Sequence, residues 1–256
     1  MWYARARMTW WNYRLTRIVA SIAARHGLVV QGGPFAGMVY VASTVSAFSQ
    51  GVVCKSALVP KLLGSYEAEL HQIVAKLLKT RYPTVVNIGC GEGYYAVGFA
   101  LRLPGARIYA FDTDPPARNL CAELAHANGV EARVIVAGEC DHHRLAALTL
   151  ERALIVCDCE GCELDLLRPD LVPGLKACDI VVELHDFIDP RISEIVLSRF
   201  EASHKIRLVE STERDPSNYS VLRNLAARDQ RLAVNEFRPH MEWAFMRSKS
   251  VPIDEP

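Results

Sequence analysis

An excess of charge of either sign is missing from this sequence: its 256 residues carry 29 Lys and Arg against 29 Asp and Glu. Generic binding of nucleic acid needs clustered positive charge, so no nucleic-acid partner is expected. A long hydrophobic run is missing too. Spanning a bilayer takes about 20 apolar residues, and Leu28–Val53 is broken by Gln31, Gly32, Gly33, Pro34 and several serines. The stretch Ile18–Ala24, preceded by Arg5, Arg7, Arg14 and Arg17, has only the minimum length of a signal peptide and stops at Arg25 and His26. Cysteine is sparse, eight in the whole chain, which excludes a disulfide scaffold. Cys90, Cys157 and Cys159 sit beside apolar runs and Cys121 on an apolar helical face. They are expected to be reduced, buried thiols of a cytoplasmic protein. There are no internal repeats and no low-complexity tract. Half the residues are hydrophobic and 23% are charged, which excludes a disordered chain.

Composition shifts near Pro60. Residues 1–60 form an appendage with Trp2, Trp10 and Trp11, a helical stripe (Trp11, Leu15, Ile18, Val19, Ile22) and a Gly/Ser-rich extended stretch around Phe35–Val53. It is expected to pack on the main domain, with a substrate lid or a dimer contact as alternatives. The main domain is placed at 61–248, and the tail 249–256 is expected to fray. Tyr66, Leu70, Ile73, Val74, Leu77 and Leu78 make one helical face. Strands are expected from Thr84 and at Arg107–Phe111, Ala132–Ala137, Ala153–Cys157, Asp179–Leu184, Lys205–Glu210 and Met241–Met246. Helical stripes separate them, including Ala117–Ala125, Ile192–Phe200 and a short helix with Val221, Leu222 and Leu225. Alternating strands and helices imply a Rossmann-like, doubly wound α/β fold with a mostly parallel sheet covered on both faces.

The most informative stretch runs from Val85 through Asn87, Gly89, Cys90, Gly91, Gly93 and Tyr94 to Gly98. A buried strand ends in glycines at alternate positions, and a helix begins near Tyr94. Glycine lets the backbone turn sharply and approach a ligand closely, and the free N–H groups of the helix start favour an anionic group. Arg107–Asp112 then supplies a strand ending in an acid about 20 residues after the last loop glycine, where a carboxylate can accept hydrogen bonds from ribose hydroxyls. Asp114 is placed to cap the next helix. A nicotinamide dinucleotide site would space its glycines G-x-G-x-x-G, whereas here they stand at 89, 91 and 93.

That loop resembles the one in the class I S-adenosylmethionine-dependent methyltransferases. The wider set "NIGCGEGYYAVGFA", "IYAFDTDP" and "CDCEGCELDLL" is similar to the FkbM-type branch, over roughly Gly64 to Asp186. The resemblance implies a seven-stranded sheet of order 3-2-1-4-5-7-6 with the last strand antiparallel. It implies S-adenosylmethionine as cofactor, lying across the ends of strands 1 and 2. Gly89, Cys90, Gly91 and Gly93 would face its methionine part, and Thr113, Glu139 and Cys140 its adenine. Family members usually carry an acid where this chain has Asn87, so one charge interaction with the cofactor's ammonium is lost.

Methyl transfer from a sulfonium requires an acceptor held in line with the S–CH3 bond, and a hydroxyl acceptor must also lose its proton. Asp158, Glu183 and His185, at the ends of two strands, are the candidate catalytic residues; alternation along a strand points Glu183 and His185 the same way. Three roles are open to Asp158: binding the cofactor's amino group, acting as base, or capping a helix. His185 is a base, a structural histidine or a metal ligand. Asp158, Glu183 and His185 make a chemically reasonable divalent site, and Cys157, Cys159 and Cys162 a thiolate one, but no metal is assigned. Glu163 suits the first turn of its helix. Glu67, Tyr95 and Glu160 are acceptor-side candidates. The expected activity is methylation of an oxygen on a small molecule or glycan, in a chain for which a homodimer is allowed. A nicotinamide oxidoreductase and a non-catalytic binding module are the rival classes.

Overall fold

A computed structural model describes residues 2–50 and 57–250; the expectation of a frayed tail and the end of the Phe35–Val53 stretch lie partly outside the described residues, as do the side chains of Trp2 and Trp10. The helices are α1 (Trp2–His26), α2 (Ala42–Gln50), α3 (Leu58–Leu63), α4 (His71–Leu77), α5 (Tyr94–Arg102), α6 (Pro115–Ala127), α7 (His142–Ala146), α8 (Glu163–Leu166), α9 (Ile192–Phe200) and α10 (Ala227–Ala233). The strands are β1 (Thr84–Ile88), β2 (Arg107–Phe111), β3 (Val134–Ala137), β4 (Leu154–Cys157), β5 (Asp179–Leu184), β6 (His204–Glu210) and β7 (Glu242–Ser248). They form one sheet in the order β3-β2-β1-β4-β5-β7-β6. Pairings among β1 to β5 are parallel, and β7 runs antiparallel between β5 and β6. This is the architecture and strand order that the resemblance implies.

Every residue of β1, β4 and β5 is buried, because helices cover both faces of the sheet. Alternate residues feed two separate cores. Val85, Leu154, Val156 and Val181 pack with Leu15, Ile18 and Ile22 of α1 and with Phe99 and Leu124. Val86, Ile155, Ile180 and Val182 pack on the other face with Leu145, Leu166, Ile192 and Phe200. The N-terminal stripe therefore belongs to a core of the sheet. Phe35 joins the same core and packs closely on α5: a Cβ on Gly98 would lie 2.5 Å from its ring. Among the described residues no helix is long and apolar enough to cross a membrane.

Four expectations need correction. The stretch after Phe35 is not extended throughout, since Ala42–Gln50 is helical and packs Val45 and Phe48 three residues apart on the core. The helical face from Tyr66 to Leu78 is broken at Glu67, whose φ of 47° is left-handed, and resumes as a 3-10 turn and α4. The helix expected around Val221 is a 3-10 turn at Ser220–Leu222, with α10 following later. Finally, Cys159 is not a reduced thiol: it is joined to Cys162 by a disulfide. The turn after β4 brings their Cα atoms to 5.5 Å, within bridging range, an approach that apolar flanks alone do not reveal. Cys90, Cys121 and Cys157 are free and buried.

Candidate active site

The ends of β1, β2, β4 and β5 open into a cleft of about 940 Å³. Its floor under β1 and β2 is made by the glycine bend. Gly89, Gly91 and Gly93 all have positive φ. At Gly89 the requirement is absolute in two ways: φ is +76°, and a Cβ would stand 1.6 Å from the carbonyl oxygen of Asp158. The amides of Gly89 and Cys90 both donate to the Phe111 carbonyl at 2.9 Å, tying the bend to the end of β2. There Asp112 turns its carboxylate onto the bend, Oδ2 accepting from the Gly91 amide and Oδ1 from the Asp114 amide, each at 2.8 Å. An ionised carboxylate has about four acceptor directions, so Asp112 keeps capacity for hydroxyls in the cleft. Asp114 occupies the N-cap position of α6 but makes no side-chain cap bond, so the capping expected of it is not seen; its own amide is held by Asp112 instead.

Cys90, Tyr94, Thr113, Glu139 and Cys140 line the cleft beside Gly89, Gly91 and Asp112. Gly93 lies behind the bend, against Cys121. Asn87 does not reach the cleft wall: it is buried in β1, its amide nitrogen 3.4 Å from the Val156 carbonyl. Two residues unremarked in the sequence fix the bend from outside. Lys61 and Tyr40 reach Glu92 between the glycines, at 2.6 and 3.1 Å from its Oε1. Burial would raise the Glu92 pKa, but Lys61 pulls it below the ordinary value. A lysine buried inside the apolar run Leu58–Leu63 is the one sequence signal that pointed to such a partner.

At the β4 and β5 ends, Asp158, Glu183 and His185 converge with donor atoms all within 4.8 Å of one another. His185 Nε2 stands 3.5 Å from Asp158 Oδ1 and 3.6 Å from Glu183 Oε2. On its other side Nδ1 is 2.8 Å from Glu163 Oε1. Behind them lies a buried charge network with no counterpart in local sequence spacing. Arg238, in the loop before β7, is 2.8 Å from Glu183, 2.7 Å from Glu69, 2.9 Å from Glu236 and 3.4 Å from Glu67. Arg214 adds contacts of 2.6 Å to Glu69 and 2.7 Å to Glu236. Glu67 lies beneath the wall and accepts a hydrogen bond from the Tyr95 hydroxyl; Tyr95 and Glu160 themselves line the cleft. Burial raises the Glu67 carboxyl to about 7, against the pull of Arg238. Burial, then the charges of Asp158 and Glu67, push Glu183 to about 11. Of the four non-glycine residues with positive φ among the described residues, Glu67, Glu160 and Phe237 stand at this end of the cleft and Arg152 lies elsewhere.

Strand order, a glycine bend at the β1 end and a carboxylate at the β2 end gripping it settle the architecture. The chain has the seven-stranded Rossmann-like fold that its resemblance to the class I S-adenosylmethionine-dependent methyltransferases implies. Within this fold, residues 70–176 match the family model of the ribosomal protein L11 methyltransferase (PrmA). The release factor glutamine methyltransferase of Chlorobaculum tepidum is 31% identical over 121 residues, 46% of this chain and 37% of that protein. The ribosomal protein L11 methyltransferase of Herpetosiphon aurantiacus is 42% identical over 59 residues, 23% of this chain and 18% of that protein. The chain thus spans well under half the length of these relatives. Among solved structures, a precorrin-6y C5,15-methyltransferase from Geobacter metallireducens aligns with a TM-score of 0.46 and 14% identity, covering 71% of this chain and 88% of the other. The sequence similarities lie with L11 and release-factor methyltransferases and do not support the FkbM-type branch suggested by Asp158–Glu163.

Proposed function

We propose that this protein transfers a methyl group from S-adenosylmethionine to an acceptor held at the β4 and β5 ends, and that the acceptor atom is an oxygen. The single observation that carries the reading is the hydrogen bond from the Gly91 amide to Asp112, which sets a carboxylate for the ribose beside a bend left open for the rest of the cofactor. Gly89, Cys90 and Gly91 face the methionine portion, and Thr113, Glu139 and Cys140 flank the adenine. Asp158, with Glu183 or His185, orients or deprotonates the acceptor, a demand that a hydroxyl makes. Exposed Phe187 and Phe237 on the cleft lining suit an acceptor with an apolar portion. A small molecule or glycan fits this reading. A second reading, an amide or amine of a protein substrate, is favoured by the similarity to L11 and release-factor methyltransferases; against it stands the segment Asp158-Cys159-Glu160-Gly161, which lacks the Asn-Pro-Pro-Tyr type of sequence seen in amino-directed enzymes.

Thermal-shift titration tests the cofactor. A ligand that binds only the folded state stabilises it by mass action, about 2.7 kcal/mol at a hundred times its Kd. S-adenosylhomocysteine should raise the melting temperature, NADH should not, and Asp112→Ala should abolish the response. No shift with millimolar S-adenosylhomocysteine, or an Asp112→Ala response equal to that of the wild type, sinks the reading.

A further inference from the structure

We propose that Asp158, Glu183 and His185 form a binding site for a first-row divalent cation. The orientation of the His185 ring is fixed by Glu163. Glu163 Oε1, 2.8 Å from His185 Nδ1, also faces the backbone N–H groups of Cys159 and Gly161 at 3.4 Å. An oxygen at which two amides already point is an acceptor, so Nδ1 carries the proton and donates it there. Nε2 is then the ring nitrogen left for a ligand, and it faces Asp158 Oδ1 at 3.5 Å and Glu183 Oε2 at 3.6 Å. Three potential ligand atoms from adjacent strand ends thus converge, the imidazole nitrogen standing too far from either carboxylate for a good hydrogen bond; a cation there displaces the proton that the crowded Glu183 carboxyl otherwise keeps. Those distances are close to the separation of about 3–3.5 Å between two ligands that each stand about 2.1 Å from one ion.

The surroundings complete the arrangement. A histidine ligand held from behind by a carboxylate is the usual support of a metal-bound imidazole, and here Glu163 is that carboxylate, itself fully buried. Glu183 has its other oxygen, Oε1, engaged by Arg238 at 2.8 Å, which leaves Oε2 as a single directed donor. Asp158 keeps 29% of its side chain exposed and lines the cleft, so the cation's free positions open toward the acceptor. Two carboxylate oxygens and one imidazole nitrogen favour Mn²⁺, Fe²⁺, Co²⁺ or Zn²⁺ over all-oxygen cations such as Ca²⁺.

Its role, though not its existence, rests on the methyltransferase reading. An acceptor hydroxyl bound to the ion is acidified and positioned. Its proton passes to water, the oxygen forms the new O–CH3 bond, and the S–CH3 bond breaks with its electron pair remaining on sulfur as S-adenosylhomocysteine.

The test is titration of Mn²⁺ into the chelator-treated full chain, following free Mn²⁺ by electron paramagnetic resonance. One ion per chain is expected. Asp158→Asn, at a partly exposed position and checked for fold by circular dichroism, should weaken binding by at least about tenfold, and Glu163→Gln by about 10–100-fold. Co²⁺ bound to the wild-type chain should shift the His185 ring protons in the NMR spectrum, a readout that needs no variant. Absence of saturable Mn²⁺ binding at millimolar concentration, or binding indifferent to Asp158→Asn and with no His185 shift, overturns the site. Wild-type S-adenosylhomocysteine binding is measured alongside. If that ligand binds and Mn²⁺ does not, the cation site falls and the cofactor assignment stands; if Mn²⁺ binds and that ligand does not, the reverse holds.

Discussion

Beneath β1 and β2 the cleft is shaped by backbone: three glycines at positive φ, two amides on the Phe111 carbonyl and one carboxylate closing the bend. Beneath β4 and β5 it is shaped by buried side chains, with Glu67, Glu69, Glu183 and Glu236 arranged around Arg214 and Arg238. The first half needs the absence of side chains and tolerates little substitution at one point. The second holds a charge arrangement whose protonation can change near neutral pH. Under the reading proposed above, a cofactor of fixed shape is served by rigid main chain, and a hydroxyl acceptor by groups that titrate.

The sharpest way to break this contrast is at Gly89, where the halves touch. Gly89→Ala drives a methyl group into the Asp158 carbonyl and imposes a left-handed conformation on a residue with a Cβ. We expect a loss of about 4 kcal/mol or more in urea denaturation, with S-adenosylhomocysteine binding lost. A well-folded Gly89→Ala variant that binds normally would contradict the close approach of β1 and β4.

A smaller effect separates the halves by the sign of their pH dependence. Glu92 is held below its ordinary value of 4.5, so its stabilisation is full above that pH and fades as acid is added. Glu67 is raised from 4.5 to about 7. Its favoured form is the protonated one, so that contribution is present below 4.5 and lost as the pH rises through about 7. Glu67→Gln should therefore flatten the decline in urea midpoint between pH 4.5 and 7 while leaving the acid limb in place. An unchanged slope in that window would remove Glu67 from the account. Least of all is expected from Asp114→Ala, which deletes no cap bond: under about 0.5 kcal/mol, against the loss of cofactor response foreseen for Asp112→Ala.

The same contrast explains what could be read in advance. Gly89, Gly91, Gly93 and Asp112 are legible because local backbone geometry demands those residue types at that spacing, and the sheet order follows from the family they indicate. Glu183 and His185 are legible through strand alternation. Arg238 is not: it meets Glu67 and Glu69 across some 170 positions of chain, and nothing in Asn235–His240 distinguishes an arginine inside from one in solvent. Asn87 misled for a related reason. Its position in the motif points to the cofactor, but its burial in β1 turns the amide toward β4. The Cys159–Cys162 bridge escaped because hydrophobic flanks report burial and say nothing about how near two sulfurs come.

Helix α1 has a further consequence. Its buried residues Leu15, Ile18, Val19 and Ile22 sit beside Arg14, whose guanidinium Nε is 2.9 Å from Asp229, 215 positions further along the chain and in α10. Clipping α1 away would therefore do two things at once: it would bare the sheet face that the stripe covers and release α10 from its ion pair.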